Sequence, residues 1–136
     1  MKHSQQTIQL KDERGQSLTE FALALPILAL LLFAILQFGI VFNNYVTLTD
    51  ATRAGARKGA VARRLPNPQK ACQDAVDASA ADLTQKPGYT RSCTPLDNWA
   101  PGSDVKVNAK VPYEISLLGL VVKSGLLSST TTERVE

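Results

Sequence analysis

Cysteine, histidine and aromatic residues are scarce in this chain, with two Cys, one His and 6% aromatics among 136 residues. Two cysteines with no histidine near them argue against a structural zinc site. The single histidine, His3, stands alone near the start. There is no phosphate-binding loop, no metal-ligand cluster and no nucleophile–base spacing, and the acidic residues are dispersed. The pattern therefore points away from an enzyme and calls for no cofactor. The net charge of +3 is too small to indicate nucleic acid by itself. The most basic stretch also lacks aromatic residues on which bases could stack. The most informative absence is of charge: residues 22–42 carry none.

The apolar run covers 22 residues, 21–42, with Gln37 as its only polar member. A helix of that length spans roughly 33 Å, enough to cross the hydrocarbon core of a bilayer. The run is too long for the apolar region of an ordinary secretory signal, and no small-x-small cleavage site follows at residues 41–45. The expectation is a membrane helix that is kept, since a buried core helix rarely needs so long a run. Pro26 predicts a bend near residues 22–26. Ala34 and Gly39 offer small surfaces to a neighbouring helix.

Just before the run stands Arg14-Gly15-Gln16-Ser17-Leu18-Thr19-Glu20-Phe21. A carboxylate at the apolar edge must neutralise itself, find a cation, or stay solvated among the headgroups. Cleavage after Gly15 would make Gln16 the N-terminus, with a free ammonium four residues from Glu20. That amine and the carboxylate could compensate each other within one chain or between neighbours. Cleavage would also remove Lys2, Lys11, Asp12, Glu13 and Arg14.

This segment resembles the class III signal of type IV pilin-like proteins. In that family a membrane-embedded prepilin peptidase cuts after Gly, and Glu occupies the fifth mature position; here these are Gly15 and Glu20. The continuation Glu20-Phe21-Ala22-Leu23-Ala24-Leu25-Pro26 is similar to the TadE-like group of minor pilins, or pseudopilins, of the Tad (tight adherence, Flp-type) pilus system. Major Flp pilins usually carry Tyr after the Glu and are much shorter, so Phe21 and the long C-terminal part favour the pseudopilin resemblance. Thr49-Asp50-Ala51-Thr52-Arg53-Ala54-Gly55-Ala56-Arg57-Lys58-Gly59-Ala60-Val61 resembles the stretch that follows the membrane helix in that group. Residues 104–136 resemble it loosely, and residues 65–103 do not.

Removal of residues 1–15 would leave 121 residues, fewer than 100 of them outside the membrane part. So small a domain often needs a staple. Cys72 and Cys93 can supply one, enclosing 20 residues and contributing roughly 3 kcal/mol in the chain-entropy model. Two unpaired thiols are the alternative. A disulfide requires an oxidising compartment and agrees with a periplasmic C-terminal domain. Simple charge counting disagrees with this topology: Lys2, Lys11 and Arg14 precede the run, whereas Arg53, Arg57, Lys58, Arg63 and Arg64 follow it. The second group begins 11 residues beyond Phe42, outside the first turns past the membrane. The expectation is a single span of the bacterial inner membrane with a cytoplasmic N-terminus.

Beyond the run, the absence of Pro between Pro26 and Pro66 predicts that residues 43–64 continue the helix. Ala51, Gly55 and Gly59 fall four apart and form a smooth stripe suited to close helix packing. The basic residues occupy another face, read as solvated or meeting acidic neighbours. Leu65-Pro66 ends the helix. Asn67 and Pro68 then read as N-cap and first turn of a second helix reaching about Leu83, with Cys72, Val76, Ser79 and Leu83 on one face. Residues 89–103 read as loop, with Trp99 as a core or interface anchor. Alternation in residues 105–111 predicts a strand with Val105, Val107, Ala109 and Val111 inward, limited by Pro112. Residues 113–127 include an apolar run too short to span, which could pack on the sheet, rest on the membrane or meet another pseudopilin. The Thr-rich residues 128–135 read as the last strand.

The expected fold is α+β and pilin-like: a long N-terminal membrane-spanning helix, a short second helix and a small antiparallel sheet. The expected parts are a cytoplasmic leader (1–15), a transmembrane helix (16–42), its periplasmic continuation (43–66) and a small α+β domain (67–136). The resemblance implies a structural minor pilin of a Tad/Flp-type pilus used for adherence. Its implied partners are the prepilin peptidase, other minor pilins, the major Flp pilin, the Tad inner-membrane assembly platform and membrane lipid, with no nucleic acid. The alternatives are an unprocessed single-span protein that recruits another envelope component, and a secretion or DNA-uptake pseudopilin.

Overall fold

The computed structural model describes residues 9–117 and 119–136. Of the expected leader, residues 1–8, with Lys2 and His3, lie outside the described residues, as do the side chains of Lys11, Asp12, Glu13 and Arg14. The chain divides into two compact units, Met1–Gln37 and Phe38–Glu136. Helix α1, Gln9–Val61, supplies the described part of the first and opens the second.

In the first unit α1 continues through Pro26. The proline offers no amide to the carbonyl one turn earlier, so a single helical bond is lost there. Large apolar side chains stand exposed all around this helix, among them Leu23, Leu28, Phe33 and Leu36. A helix that is apolar on every side is stable only when something other than water covers it. By length and composition it can cross a membrane.

The second unit is an α+β structure. Past α1, a 3-10 turn, Ala62–Arg64, leads to Leu65 and Pro66, where the helix cannot continue. Helix α2, Pro68–Ser79, begins with the cap the sequence predicts: Asn67 Oδ1 accepts from the Lys70 amide at 2.9 Å, and Pro68 occupies the first turn. The helix does not run unbroken to Leu83. It stops at Ala80 and resumes as α3, Ala81–Thr84. Ala80 is fully buried and Ser79 exposed, so Ala80 takes the inward place expected of Ser79. The break lets Ala80 and Leu83 both enter the core.

Three antiparallel strands follow in the order β1-β2-β3: Thr90–Pro95, Asp104–Leu117 and Leu120–Arg134. β1 corrects the loop expected over residues 89–103. It lies at an edge of the sheet and buries only Cys93, so it lacks the apolar alternation that marks a strand. β2 bears out the expected alternation, with Val105, Val107, Ala109 and Val111 fully buried. It also runs past Pro112. β1 starts at Thr90, opposite Lys110, and beyond Lys110 β2 pairs only with β3, so a missing amide on the free side breaks nothing. β3 begins eight residues before the expected Ser128. Its pairing with β2 forms one long hairpin closed at Gly119, whose φ of +84° suits a glycine in a tight turn. Gly125 opposes Tyr113, and the Tyr113 ring covers it, 2.9 Å from where a β-carbon would sit.

The core lies between the second half of α1, α2 and the inner face of the sheet. Leu48, Ala51, Ala56, Val76, Leu83 and Val107 are among its fully buried members. Burying each Val or Leu contributes roughly 1.5–3 kcal/mol. A disulfide joins Cys72 of α2 to Cys93 of β1, with their Cα atoms 6.4 Å apart. Trp99 packs against this core, held in a turn where Asn98 and Trp99 both take positive φ.

Candidate functional site

The residues that carry the sequence motif lie on the exposed start of α1. Gly15 is exposed, and a β-carbon there would meet nothing within 4 Å. A helical glycine lowers stability by about 1 kcal/mol relative to alanine. Among the described residues, nothing requires a glycine at position 15. Gln16 Nε2 donates to Glu20 Oε1 at 3.1 Å, one turn away, and Thr19 Oγ1 donates to the Gly15 carbonyl at 3.0 Å. In the uncut chain, then, the Gln16 side chain and not an amine meets Glu20. Leu18 and Phe21 stand exposed beside them.

Ala51, Gly55 and Gly59 face the chain's own core. Ala51 is fully buried. A β-carbon on Gly55 would overlap Val76 Cγ2 and lie 3.3 Å from the Cys72 carbonyl of α2. One on Gly59 would lie 3.3 Å from both Trp99 Cζ3 and Val105 Cγ1. The stripe brings α1 close to α2 and the sheet, and these elements cover it.

The basic residues lie on other faces of the same helix and, for Arg64, in the 3-10 turn that follows it. Arg53, Arg57, Lys58 and Arg64 are exposed, and Arg53 meets Asp50 at 3.6 Å. An exposed pair of that kind contributes little to stability.

Two polar clusters were not legible from the sequence. Thr52 is the one buried polar residue among the described side chains. Its hydroxyl donates to the Thr49 carbonyl at 2.9 Å and lies 3.0 Å from both Ser129 Oγ and Thr131 Oγ1. A hydroxyl has one proton, so with that proton on Thr49 the two β3 hydroxyls donate to Thr52. The available signal was a threonine within an Ala/Gly-rich helix face, together with a Thr-rich strand.

The second cluster links α2 to β1. Asp77 accepts from the Tyr89 hydroxyl at 3.2 Å and pairs with Arg91 Nη2 at 2.7 Å. Burial, and then the Asp77 carboxylate beside it, push the Tyr89 hydroxyl up to about 12.

These features describe a packed module on an apolar helix, whose motif residues face outward. Neither the curated proteins nor the solved structures gave a match to the chain. A family model described as TadE-like protein matches residues 15–57, from Gly15 through Arg57. The match takes in Gln16, Glu20, Phe21, Ala51 and Gly55. Over residues 15–57, the chain is similar to TadE-like proteins.

Proposed function

We propose that the chain is a minor pilin, or pseudopilin, of a Tad-type pilus. A prepilin peptidase processes it after Gly15, and it assembles with other pilin-like subunits at the inner membrane. The observation that carries this reading is an exposed Gly15 with no role in the fold, five residues before Glu20, at the start of an apolar helix and of the TadE-like match.

Cleavage would free the Gln16 amine, a stronger partner for Glu20 than the Gln16 amide that now contacts it. At the bilayer edge, the Glu20 of one subunit and the Gln16 amine of its neighbour would set the register of helix packing. α1 would cross the inner membrane with its N-terminus in the cytoplasm. The second unit would lie in the periplasm, where oxidising conditions maintain Cys72–Cys93. The exposed Arg57, Lys58 and Arg64 would then meet acidic surfaces of other subunits or of the assembly platform.

The test is Glu20→Ala in a cell that builds the pilus. Processing after Gly15 continues in the variant, and pilus assembly weakens. Normal assembly with the variant would remove Glu20 from the mechanism.

A further inference from the structure

The β2–β3 hairpin extends beyond the core. Val111 and Leu127 oppose each other, the first buried and the second half-buried against the core. Past them the pairing continues from Pro112 opposite Leu126 to Leu117 opposite Leu120. β1 is absent here, so this end is a two-stranded ribbon, a form only marginally stable in water. Yet Leu120 is 74% exposed and Val122 62%, with Val121 and Leu126 exposed beside them. Glu114 and Lys123 are the only charged residues in this end.

The direction of the hairpin follows from its contacts with α1. The Glu136 amide donates to the Ala60 carbonyl. Gly59 abuts Val105, Gly55 abuts Val107, and Thr52 meets Thr131 and Ser129. Leu48 shares the core cluster with Val111, against which Leu127 also packs. Each step back along α1 is therefore a step along the hairpin toward its tip. The tip points to the end of the unit that carries Phe38, Ile40 and Phe42, of which Phe38 is 66% exposed and Phe42 58%. From Leu48 to Phe42 the helix descends about 9 Å. From Leu127 to Leu120 the strand covers about 23 Å. The strand is therefore long enough to bring the tip at least to the level of residues 38–42. Val41 and Asn44, on the face that continues from Leu48, are half-buried, while Phe42, Asn43, Tyr45 and Val46 are exposed.

From this geometry we infer that the tip, formed by Ile115, Leu117, Leu120, Val121 and Val122, is a lipid-binding surface. It enters the headgroup–acyl boundary of the bilayer that α1 crosses and gives the chain a second membrane contact. The apolar surface is continuous in level with residues 38–42, where the apolar run of α1 ends. It is also confined to the tip: residues 128–132 of β3 are all Ser or Thr, so the strand edge offers no apolar stripe for a second copy. The inference rests on the reading of α1 as a membrane span.

The test uses the full chain in vesicles of phosphatidylethanolamine and phosphatidylglycerol that contain acyl-brominated phosphatidylcholine. The native Trp99, beside Gly59 at the other end of the sheet, is the internal reference and stays unquenched. Leu120→Trp adds emission that is blue-shifted and quenched by the brominated lipid to an extent comparable with Phe42→Trp. Both positions are exposed, so neither variant disturbs the core. Quenching at 42 without quenching at 120 overturns the inference and leaves the span intact. Blue-shifted but unquenched emission at 120 also overturns it, because a protein surface, such as a second copy, then covers the tip. Quenching of Trp99 in the parent chain overturns it as well, since the sheet would then lie broadside on the lipid. An unquenched residue 42 removes the span itself, and the inference with it.

Discussion

Gly55 of α1 presses against Val76 of α2 so closely that a β-carbon at position 55 would overlap Val76 Cγ2. The Cys72 carbonyl and Val107 stand just behind, at 3.3 and 3.4 Å from the same point. Gly55→Ala gains about 1 kcal/mol of helix propensity. It also forces the α1–α2 contact apart at a typical overpacking cost of about 1–3 kcal/mol. The expected net result is a lower Tm for the full chain in detergent. Gly39→Ala, in open space on the same helix, serves as the control and leaves Tm unchanged or raised. An equal response from the two variants would contradict the packing described.

Thr52 makes a second point of contact between α1 and the sheet. Thr52→Val keeps the volume but leaves the Ser129 and Thr131 hydroxyls without their acceptor. Ser129 and Thr131 are half-buried, so the loss is that of ordinary hydrogen bonds, roughly 0.5–1.5 kcal/mol each. The variant should melt earlier than wild type, and Thr52→Ser, which keeps the hydroxyl, should recover most of the loss. If Thr52→Ser and Thr52→Val melt alike, the hydroxyl network does not hold α1 to β3.

The Tyr89–Asp77 contact gives the fold an alkaline sensitivity. The folded-state value of Tyr89, about 12, lies above its ordinary value of 10.0. Its contribution is fully present below pH 10, where the phenol is protonated in both folded and unfolded chains. It is lost as the pH rises from 10 toward 12, because the unfolded chain then gives up the proton first. Tyr89→Phe lacks this group. The Tm advantage of wild type over Tyr89→Phe should shrink across that interval and stay constant below it. A difference independent of pH would contradict the assignment.

Much of this architecture was legible because it rests on local chemistry. The apolar run, the Asn67–Pro68 cap, the break at Leu65-Pro66 and the inward alternation of residues 105–111 are each set by side chains close in sequence. β1 escaped because an edge strand needs few buried side chains, and Cys93 is its only one. The early start of β3 escaped because Leu120, Val121 and Val122 are consecutive apolar residues that show no alternation. Thr52 escaped because its partners are 77 and 79 residues away. The small-residue stripe shows the same limit. Its spacing announced a close approach, but only the fold identified α2 and the sheet as what approaches.

Processing after Gly15 is the proposed step on which the assembly role of Gln16 and Glu20 depends. Its most direct test is the intact mass of the membrane-extracted chain, produced with and without a prepilin peptidase from the same source. The expected result is loss of residues 1–15 only when the peptidase is present, leaving Gln16 as the N-terminus. A full-length chain in both samples would contradict it and leave an unprocessed, membrane-anchored module.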